Sequence, residues 1–411
     1  MFQLSTINKV IINRNTYIDR SKLHIGRNII KVFTGQRRVG KSYLLLQLMN
    51  YIRETFDNTN IISINKELYE FGFIQTDIEL MQYFDQQFKD DRKNFLFVDE
   101  IQEIKGFEKA IRSILSSGKA DIYITGSNAD MLSGELATFL SGRYIEIKIN
   151  ALSFDEFLLF NNLENKQIAF ENYMKYGGLP GLININPAEA AIADYMKGIY
   201  STILLKDVVK RHSIRNVSFL ENLVIYLSDN IGSIVSAKRI SDYLKSQHIS
   251  ISPNVVIDYI DHLCKAFLTN KVSRCDIGGR KIFEIGEKYY FEDWGLRNSI
   301  IGYKIQDIGK ILENIVYHHL IYAGYKVMVG TLANKEIDFV AEKNAERIYV
   351  QVCYLLTGEK VIEREFGNLL AINDNYPKYV VSMDNIGNTA SHKGIIHMHV
   401  TEFCLSVLNL P

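Results

Sequence analysis

Residues 35–42 read Gly35-Gln36-Arg37-Arg38-Val39-Gly40-Lys41-Ser42, between an apolar run at 29–34 and a helical pattern. The loop matches G-x-x-x-x-G-K-S/T, in which glycines let backbone N–H groups turn toward phosphates at a helix start. We predict that Lys41 contacts the β- and γ-phosphates of a nucleotide and that Ser42 binds Mg²⁺. The predicted nucleotide-binding set is Gly35, Gln36, Arg37, Arg38, Val39, Gly40, Lys41, Ser42 and Tyr43.

A second pattern lies at residues 94–100, where four apolar residues lead into Asp99 and Glu100. Ligands bind at the carboxyl ends of parallel strands, so Asp99 is predicted to hold Mg²⁺ through water. Glu100 is predicted to orient and deprotonate the attacking water. An acidic turn after a buried strand is the alternative, which the preceding P-loop disfavours.

Two further polar positions are catalytic candidates. An apolar strand at 121–125 ends in Gly126-Ser127-Asn128, and we predict that Asn128, or Ser127 beside it, reaches the γ-phosphate or the water. Arg143 precedes another strand and is predicted to neutralise transition-state charge, within the chain or from a neighbouring subunit. A simple turn and a surface ion pair are the respective alternatives.

The composition limits the class of protein. The 411 residues suggest about two or three domains. Basic and acidic residues balance to a net charge of zero, which excludes a polybasic protein but not a local basic face. The four cysteines form no C-x-x-C pair, and no apolar run is long enough for a membrane span. We therefore expect a soluble cytoplasmic protein without a membrane partner.

The sequence resembles the prokaryotic AAA-type ATPases that carry a conserved C-terminal domain of unknown function. The resemblance covers nearly the whole chain, and it implies an AAA-type ATPase core with ATP and Mg²⁺ as ligands, in a cytoplasmic prokaryotic setting. It leaves a homo-oligomer possible and assigns no cellular role. The matching stretches are residues 32–42, 97–102, 124–128, 140–143, 152–157, 176–180, 205–208 and 336–339.

Strand–helix alternation over residues 1–150 predicts an α/β core with a parallel sheet. Residues 151–212 are predicted to form a helical lid, in which Gly177-Gly178-Leu179-Pro180 is either a hinge or a plain turn. Residues 213–298 are predicted to form a winged helix, with Ser236 and Ser252 as N-caps. Its hairpin is predicted from residues 267–275 and 281–285.

DNA is the predicted partner of this winged helix. Its third helix, 254–265, contains two aspartates, which suit phosphates poorly. We therefore expect the wing, rather than that helix, to make the contact, although a winged helix can also bind proteins. The surrounding basic residues are Lys238, Arg239, Lys245, Lys271, Arg274, Arg280 and Lys281.

Residues 299–411 have a layout typical of restriction-type nucleases: Glu313 on a helix, Asp338 on a strand, then a second strand. Gln351 and Cys353 stand where that layout has an acid and a lysine, so we predict an inactive nuclease-like domain. The leading hypothesis is Mg-dependent ATP hydrolysis coupled to DNA binding or remodelling. The alternative is a nucleotide-dependent switch or scaffold that acts through protein partners with little turnover.

Overall fold

A computed structural model describes residues 12–129, 142–279, 286–384 and 391–411. The chain divides into two compact units, residues 1–149 and 150–411. None of the helices within these described ranges is long and apolar enough to cross a membrane. The predicted domain boundaries after residues 150, 212 and 298 stay proposals.

The first unit contains the predicted alternation of strands and helices. Its elements are α1 (Asn15–Lys22), β1 (Ile30–Thr34), α2 (Lys41–Thr55), β2 (Thr59–Asn65), α3 (Asp77–Gln87), β3 (Lys93–Asp99), α4 (Phe107–Ser117), β4 (Asp121–Gly126) and β5 (Tyr144–Lys148).

These strands form one sheet in the order β2-β3-β4-β1-β5, and every pairing in it is parallel. The central strands are rich in β-branched and aromatic residues, and all five residues of β1 are buried. Strands buried on both faces read as such runs because helices cover the sheet on both sides. The predicted parallel P-loop sheet is therefore confirmed.

The second unit begins with helices and ends with a mixed sheet. Its elements are α5 (Phe154–Asn161), α6 (Lys166–Tyr176), α7 (Glu189–Thr202), a π-helix (Ile203–Lys210), α8 (Val217–Asp229), α9 (Ala237–Ser246), α10 (Pro253–Lys265), β6 (Thr269–Val272), β7 (Arg274–Asp276), β8 (Lys288–Phe291), α11 (Trp294–Ile301), α12 (Ile308–Tyr322), β9 (Lys326–Leu332), β10 (Lys335–Lys343), β11 (Glu346–Val352), α13 (Glu359–Leu370), β12 (Lys378–Ser382), β13 (Ser391–His392), β14 (Ile395–His399) and α14 (Val400–Ser406).

The region predicted as a winged helix has the three expected helices but a different strand pairing. Ser236 and Ser252 accept backbone hydrogen bonds at the starts of α9 and α10, as predicted. β6 pairs antiparallel with β8, whereas the prediction paired it with residues 281–285, which lie outside the described residues. β7 instead joins the larger sheet, beside β9. The predicted strand at 267–275 covers β6 and most of β7, but the sequence pattern did not predict β8 or the pairing of these strands.

The Gly-Gly-Leu-Pro segment is tied to its neighbours by hydrogen bonds, and whether it is a hinge or a plain turn stays a prediction. The Gly178 N–H donates to Asp293 Oδ2 at 2.7 Å, and the Gly178 carbonyl accepts from the Leu152 N–H at 2.7 Å. A β-carbon on Gly178 would lie 2.7 Å from the Leu152 carbonyl oxygen. Burial raises the pKa of Asp293 to about 7. The segment therefore connects the end of α6 to Asp293 at the start of α11 through a hydrogen bond.

The larger sheet of the second unit has the strand order β13-β14-β12-β11-β10-β9-β7. Strands β9, β10 and β11 pair antiparallel, whereas β11, β12 and β14 pair parallel. Phe366 and Leu369 of α13 pack with Val340 and Tyr349 of the sheet in one buried cluster. This sheet brings Asp338 on β10 next to Gln351 on β11.

Candidate active site

The loop between β1 and α2 has a backbone that favours glycine at two points. Gly35 has φ 143° and Gly40 has φ 97°, values that glycine adopts without steric cost. A β-carbon on Gly35 would lie 2.2 Å from the carbonyl oxygen of Ile149. The loop therefore turns tightly into α2, whose first-turn N–H groups have no carbonyl partner within the helix.

Two polar side chains line the inside of this loop. The Lys41 Nζ donates to the carbonyl oxygens of Gly35 at 2.9 Å and Gln36 at 3.0 Å. Gln36 is fully buried, and neither of its side-chain amide atoms has a hydrogen-bond partner among the described residues. Buried polar groups are normally paired, so the Gln36 amide suits a polar ligand, and the Lys41 ammonium suits an anionic one.

Asp99 lies at the end of β3 beside the first turn of α2. Its carboxylate accepts hydrogen bonds from the hydroxyls of Ser42 and Thr125. Its other oxygen, Oδ2, is buried without a hydrogen-bond partner in the described part of the chain. Burial raises the pKa of Asp99, and the two hydroxyls act against that rise. A buried carboxylate oxygen beside a serine hydroxyl is a donor set that fits Mg²⁺.

Glu100 is held by three neighbours. Its backbone has φ 55°, and its N–H donates to Thr125 Oγ1 at 2.9 Å. Its Oε2 accepts from Ser127 Oγ at 3.1 Å and from the Gln102 side-chain amide. This left-handed backbone conformation is uncommon for a residue other than glycine. The hydrogen bond of its N–H holds the backbone there, and the two hydrogen bonds to Oε2 set the direction of the side chain.

The charge around Glu100 determines its ionisation. Burial opposes the charged form, but the nearby cations of Lys41 and Arg37 outweigh it, so the pKa of Glu100 lies below its usual value. Arg37 is itself buried and lies 3.8 Å from the Glu67 carboxylate, measured from Nη1 to Oε1. The site thus keeps Glu100 ionised among positive charges.

The remaining predicted residues lie in different surroundings. Asn128 is fully buried at the end of β4, one residue beyond the Ser127 that contacts Glu100. Tyr43, in the first turn of α2, is 47% exposed. Arg38 has φ 73°, and Val39 is fully buried, with its carbonyl accepting from Arg14 Nη1 at 3.0 Å. The roles predicted for these residues stay predictions.

Arg143 is not brought to this site within the chain. Its carbonyl accepts a hydrogen bond from the N–H of Ile30, which is the first residue of β1. The P-loop follows Thr34, which is the last residue of β1. A strand rises about 3.3 Å per residue, so the two ends of β1 are on the order of 13 Å apart. Arg143 is also exposed. A role at the site of a neighbouring subunit stays a prediction.

Sequence reasoning missed Thr125 and Gln102. Val98 of β3 pairs with Ile124 of β4, so Asp99 and Thr125 leave neighbouring strands side by side. The strand order that brings them together is a tertiary fact, although a threonine at a strand end next to the predicted Ser127 and Asn128 was a usable signal. Gln102 lies in the short turn at Ile101–Glu103.

The comparisons with known proteins agree with this geometry. An AAA domain model matches residues 27–158, and a domain of unknown function (DUF8612) matches residues 167–307. A relative from Haemophilus influenzae, described as an uncharacterised protein, is 36% identical over 383 residues, which are 92% of this chain and 94% of the relative. The chain belongs to the AAA family of P-loop ATPases. An uncharacterised protein of Methanocaldococcus jannaschii is 32% identical over 82% of this chain and 77% of its own length.

Solved structures that match this chain are more distant. The Orc1 protein of Aeropyrum pernix, in complex with DNA, matches with a TM-score of 0.34 and 11% identity, over 71% of this chain and 92% of its own. AMPPCP-bound DnaA from Aquifex aeolicus matches with a TM-score of 0.31 and 16% identity, over 60% and 85% of the two chains. At such low TM-scores nothing about the function of this AAA-family chain follows from the likeness.

Replacing Lys41 by alanine tests the P-loop. The substitution removes a phosphate-neutralising charge and little core packing, so the chain should fold while its melting temperature no longer rises with Mg-ATP. Differential scanning fluorimetry measures this rise, and Lys89→Ala, which removes an exposed lysine after α3, is the matched control. An undiminished rise in the Lys41 variant would contradict the assignment.

Proposed function

We propose that this AAA-family protein binds ATP with Mg²⁺ and hydrolyses it, with Glu100 as the general base. The observation that supports this most strongly is the shared Thr125 hydroxyl, which donates to Asp99 and accepts from the Glu100 N–H. A protein that only binds nucleotide has no need of a second, separately oriented carboxylate beside Asp99. The arrangement thus separates a metal-binding role from a proton-accepting one.

Each side chain has a stated task in this proposal. Lys41 moves from its carbonyl contacts to the β- and γ-phosphates, and the amide of Gln36 hydrogen-bonds to the nucleotide. Ser42 and Asp99 hold Mg²⁺, which when bound offsets the negative charge that develops on the phosphate oxygens. Ser127 and Gln102 hold the Glu100 carboxylate so that it is directed at the attacking water. Asn128 supplies a further contact to that water or to the γ-phosphate.

ATP itself raises the basicity of Glu100 in this proposal. Lys41 and Arg37 hold the pKa of Glu100 low. The negative phosphates share those two positive charges, so the carboxylate becomes a stronger base once ATP is bound. A general base is most effective when its pKa lies near the working pH. Activation of water is thereby linked to occupation of the site.

A homo-oligomer gives Arg143 a role that a single chain does not. Arg143 is exposed at the amino-terminal ends of the strands, from where it can reach the nucleotide of an adjacent subunit. Its guanidinium then stabilises the charge on the γ-phosphoryl group in the transition state. ATP hydrolysis in this form depends on subunit concentration.

DNA is the partner that we propose for the α8–α10 region. Lys238, Arg239 and Lys245 on α9 are all exposed. Lys271 of the wing is instead paired with Glu287 at 2.7 Å, measured from Nζ to Oε1. We therefore assign the phosphate contacts chiefly to α9 rather than to the wing, which is where the sequence pattern placed them.

A protein partner is the second candidate, and one observation favours it. The solvent side of α10 exposes Val255 and Ile257 together with Asp258 and Asp261. Apolar and acidic groups on one helix suit a protein surface better than a DNA backbone. In this case the chain acts as a nucleotide-dependent switch, and its ATP turnover is indifferent to DNA.

Replacing Glu100 by glutamine tests hydrolysis. The amide keeps the shape of the side chain and loses its basicity, so ATP should still raise the melting temperature while turnover falls on the order of 100-fold. Phosphate release under saturating Mg-ATP measures turnover. Glu54→Gln removes the same charge from the exposed end of α2 and should change neither value. Normal turnover in the Glu100 variant would show that it is not the base.

Charge reversal on α9 tests the DNA contact. The double variant Arg239→Glu, Lys245→Glu should bind duplex DNA more weakly, and the slope of log affinity against log salt should fall by about 2. The same variant should lose any stimulation of ATP turnover by DNA and keep its basal turnover. Fluorescence anisotropy at several salt concentrations provides the measurement.

The matched control is Lys197→Glu, Lys360→Glu, which reverses two exposed charges elsewhere in the second unit. Equal DNA affinity in the two double variants would contradict the α9 assignment. Absence of DNA binding by the unsubstituted protein, together with unchanged turnover, would favour the protein partner.

A further inference from the structure

The carboxylates of the C-terminal unit surround a lysine from another part of the chain. Lys288, at the start of β8, is 2% exposed. Its Nζ lies 3.1 Å from Glu313 Oε1, 2.8 Å from Glu336 Oε1 and 3.8 Å from Asp338 Oδ1. We call these four residues the carboxylate cluster. Two of its acids, Glu313 and Asp338, are the pair that the sequence pattern likened to a nuclease site.

Lys288 is delivered to the carboxylate cluster by a fixed backbone. Asn314 of α12 exchanges two hydrogen bonds with the backbone of Phe291, both of 2.8 Å. The Tyr290 hydroxyl donates to Glu313 Oε1 at 2.6 Å. Gly232 lies against the same carboxylate, because a β-carbon there would be 2.7 Å from Glu313 Oε2. The ammonium is therefore part of the packed core and is not a surface group that reaches in.

On its other side, Asp338 contacts β11, and the buried carboxylate of Glu365 is near enough to act on the pKa of Asp338. Asp338 Oδ2 accepts from the Val352 N–H at 2.8 Å, and Gln351 Oε1 accepts from the Asp338 N–H at 3.4 Å. Burial raises the pKa of the Cys353 thiol to about 12, so this side chain carries no charge at neutral pH. The prediction of an inactive nuclease-like domain considered only the Gln351 and Cys353 positions and did not foresee the cation that Lys288 brings from β8.

The ammonium fills the position that a divalent metal would need. Mg²⁺ and related ions bind carboxylate oxygens at about 2.0–2.6 Å, and a cation cannot share that space with an ammonium in contact with the same oxygens. Burial opposes the charged form of Lys288, but Glu313, Asp338 and Glu336 outweigh it and raise its pKa above the usual value. As they are positioned around the ammonium, the acids of the cluster are not arranged to hold a metal ion, and no other group of three His, Cys, Asp or Glu side chains in the described ranges is.

We infer that Lys288 is the resident cation of the carboxylate cluster and takes the place of the metal that nuclease chemistry there would require. The ammonium joins β8, α12 and β10 through one set of contacts, so the C-terminal unit keeps its acids for assembly and does not cut DNA. Removal of the ammonium leaves these acids without a cation, and we expect their side chains to move together around a divalent cation, with Glu313 and Asp338 among its ligands.

Mn²⁺ binding to the full chain tests this inference. All variants carry Asp99→Asn, which removes the proposed Mg²⁺ ligand at the end of β3, and no nucleotide is added. Electron paramagnetic resonance measures free Mn²⁺. We expect no bound Mn²⁺ in the chain that keeps Lys288, one Mn²⁺ per chain with Lys288→Met, and none with Lys288→Arg. Adding Asp338→Asn to Lys288→Met should abolish the new site. A folded Lys288→Met chain that binds no Mn²⁺ would overturn the inference.

A second measurement needs no substitution at Lys288, because breaking a buried ion pair can lower the melting temperature on the order of 10 °C and prevent folding. The chain with Asp99→Asn is melted with Mn²⁺ and with EDTA, beside the chain that also carries Asp338→Asn. We expect the difference between Mn²⁺ and EDTA to be the same in both. A Mn²⁺-dependent rise in melting temperature that Asp338→Asn removes would mean that the carboxylate cluster holds a metal beside Lys288, and the inference would fail.

Discussion

The hydroxyl of Thr125 is the contact on which the candidate site depends. It donates to the Asp99 carboxylate and accepts from the Glu100 N–H, so one group fixes an acid at the end of β3 and the backbone of the acid that follows it. Hydrogen bonds to a charged group contribute about 1.5–3 kcal/mol, enough to favour one arrangement of a buried acid strongly over others. The parallel register of β3 and β4 makes this contact possible. The site is therefore a property of the sheet as much as of its loops.

The parts of this site that the sequence could predict are those written in consecutive residues. The P-loop and the Asp99–Glu100 pair each combine a strand with a polar end, so local pattern was sufficient. Thr125 required the strand order, which places β4 between β3 and β1. Arg143 illustrates the same limit. It precedes β5, which runs parallel to β1, so it lies at the amino-terminal ends of these strands, whereas the P-loop follows their carboxyl-terminal ends.

The C-terminal unit extends this argument to charge. Local spacing looked for a lysine two residues after Gln351, where the chain has Cys353. The cation that contacts the acids is Lys288, which precedes Glu313 by 25 positions and lies on a strand of a separate two-stranded sheet. A sequence motif identifies only groups that are close together along the chain. A charge that stabilises a site can also come from a residue that is distant in sequence and is brought there by packing. The pairing of β7 with β9 is a further case, because local sequence predicted β7 as part of the wing hairpin but tertiary packing decides its partner strand.

Steady-state ATP turnover of Thr125→Val beside Thr125→Ser tests most directly whether this hydroxyl organises the site. Valine keeps the branched shape that the buried strand requires but removes the hydroxyl, whereas serine keeps the hydroxyl. The account predicts that kcat falls on the order of 100-fold in Thr125→Val, while Thr125→Ser stays close to the unsubstituted rate and both variants fold. Equal turnover by the valine variant and the unsubstituted chain would contradict the account.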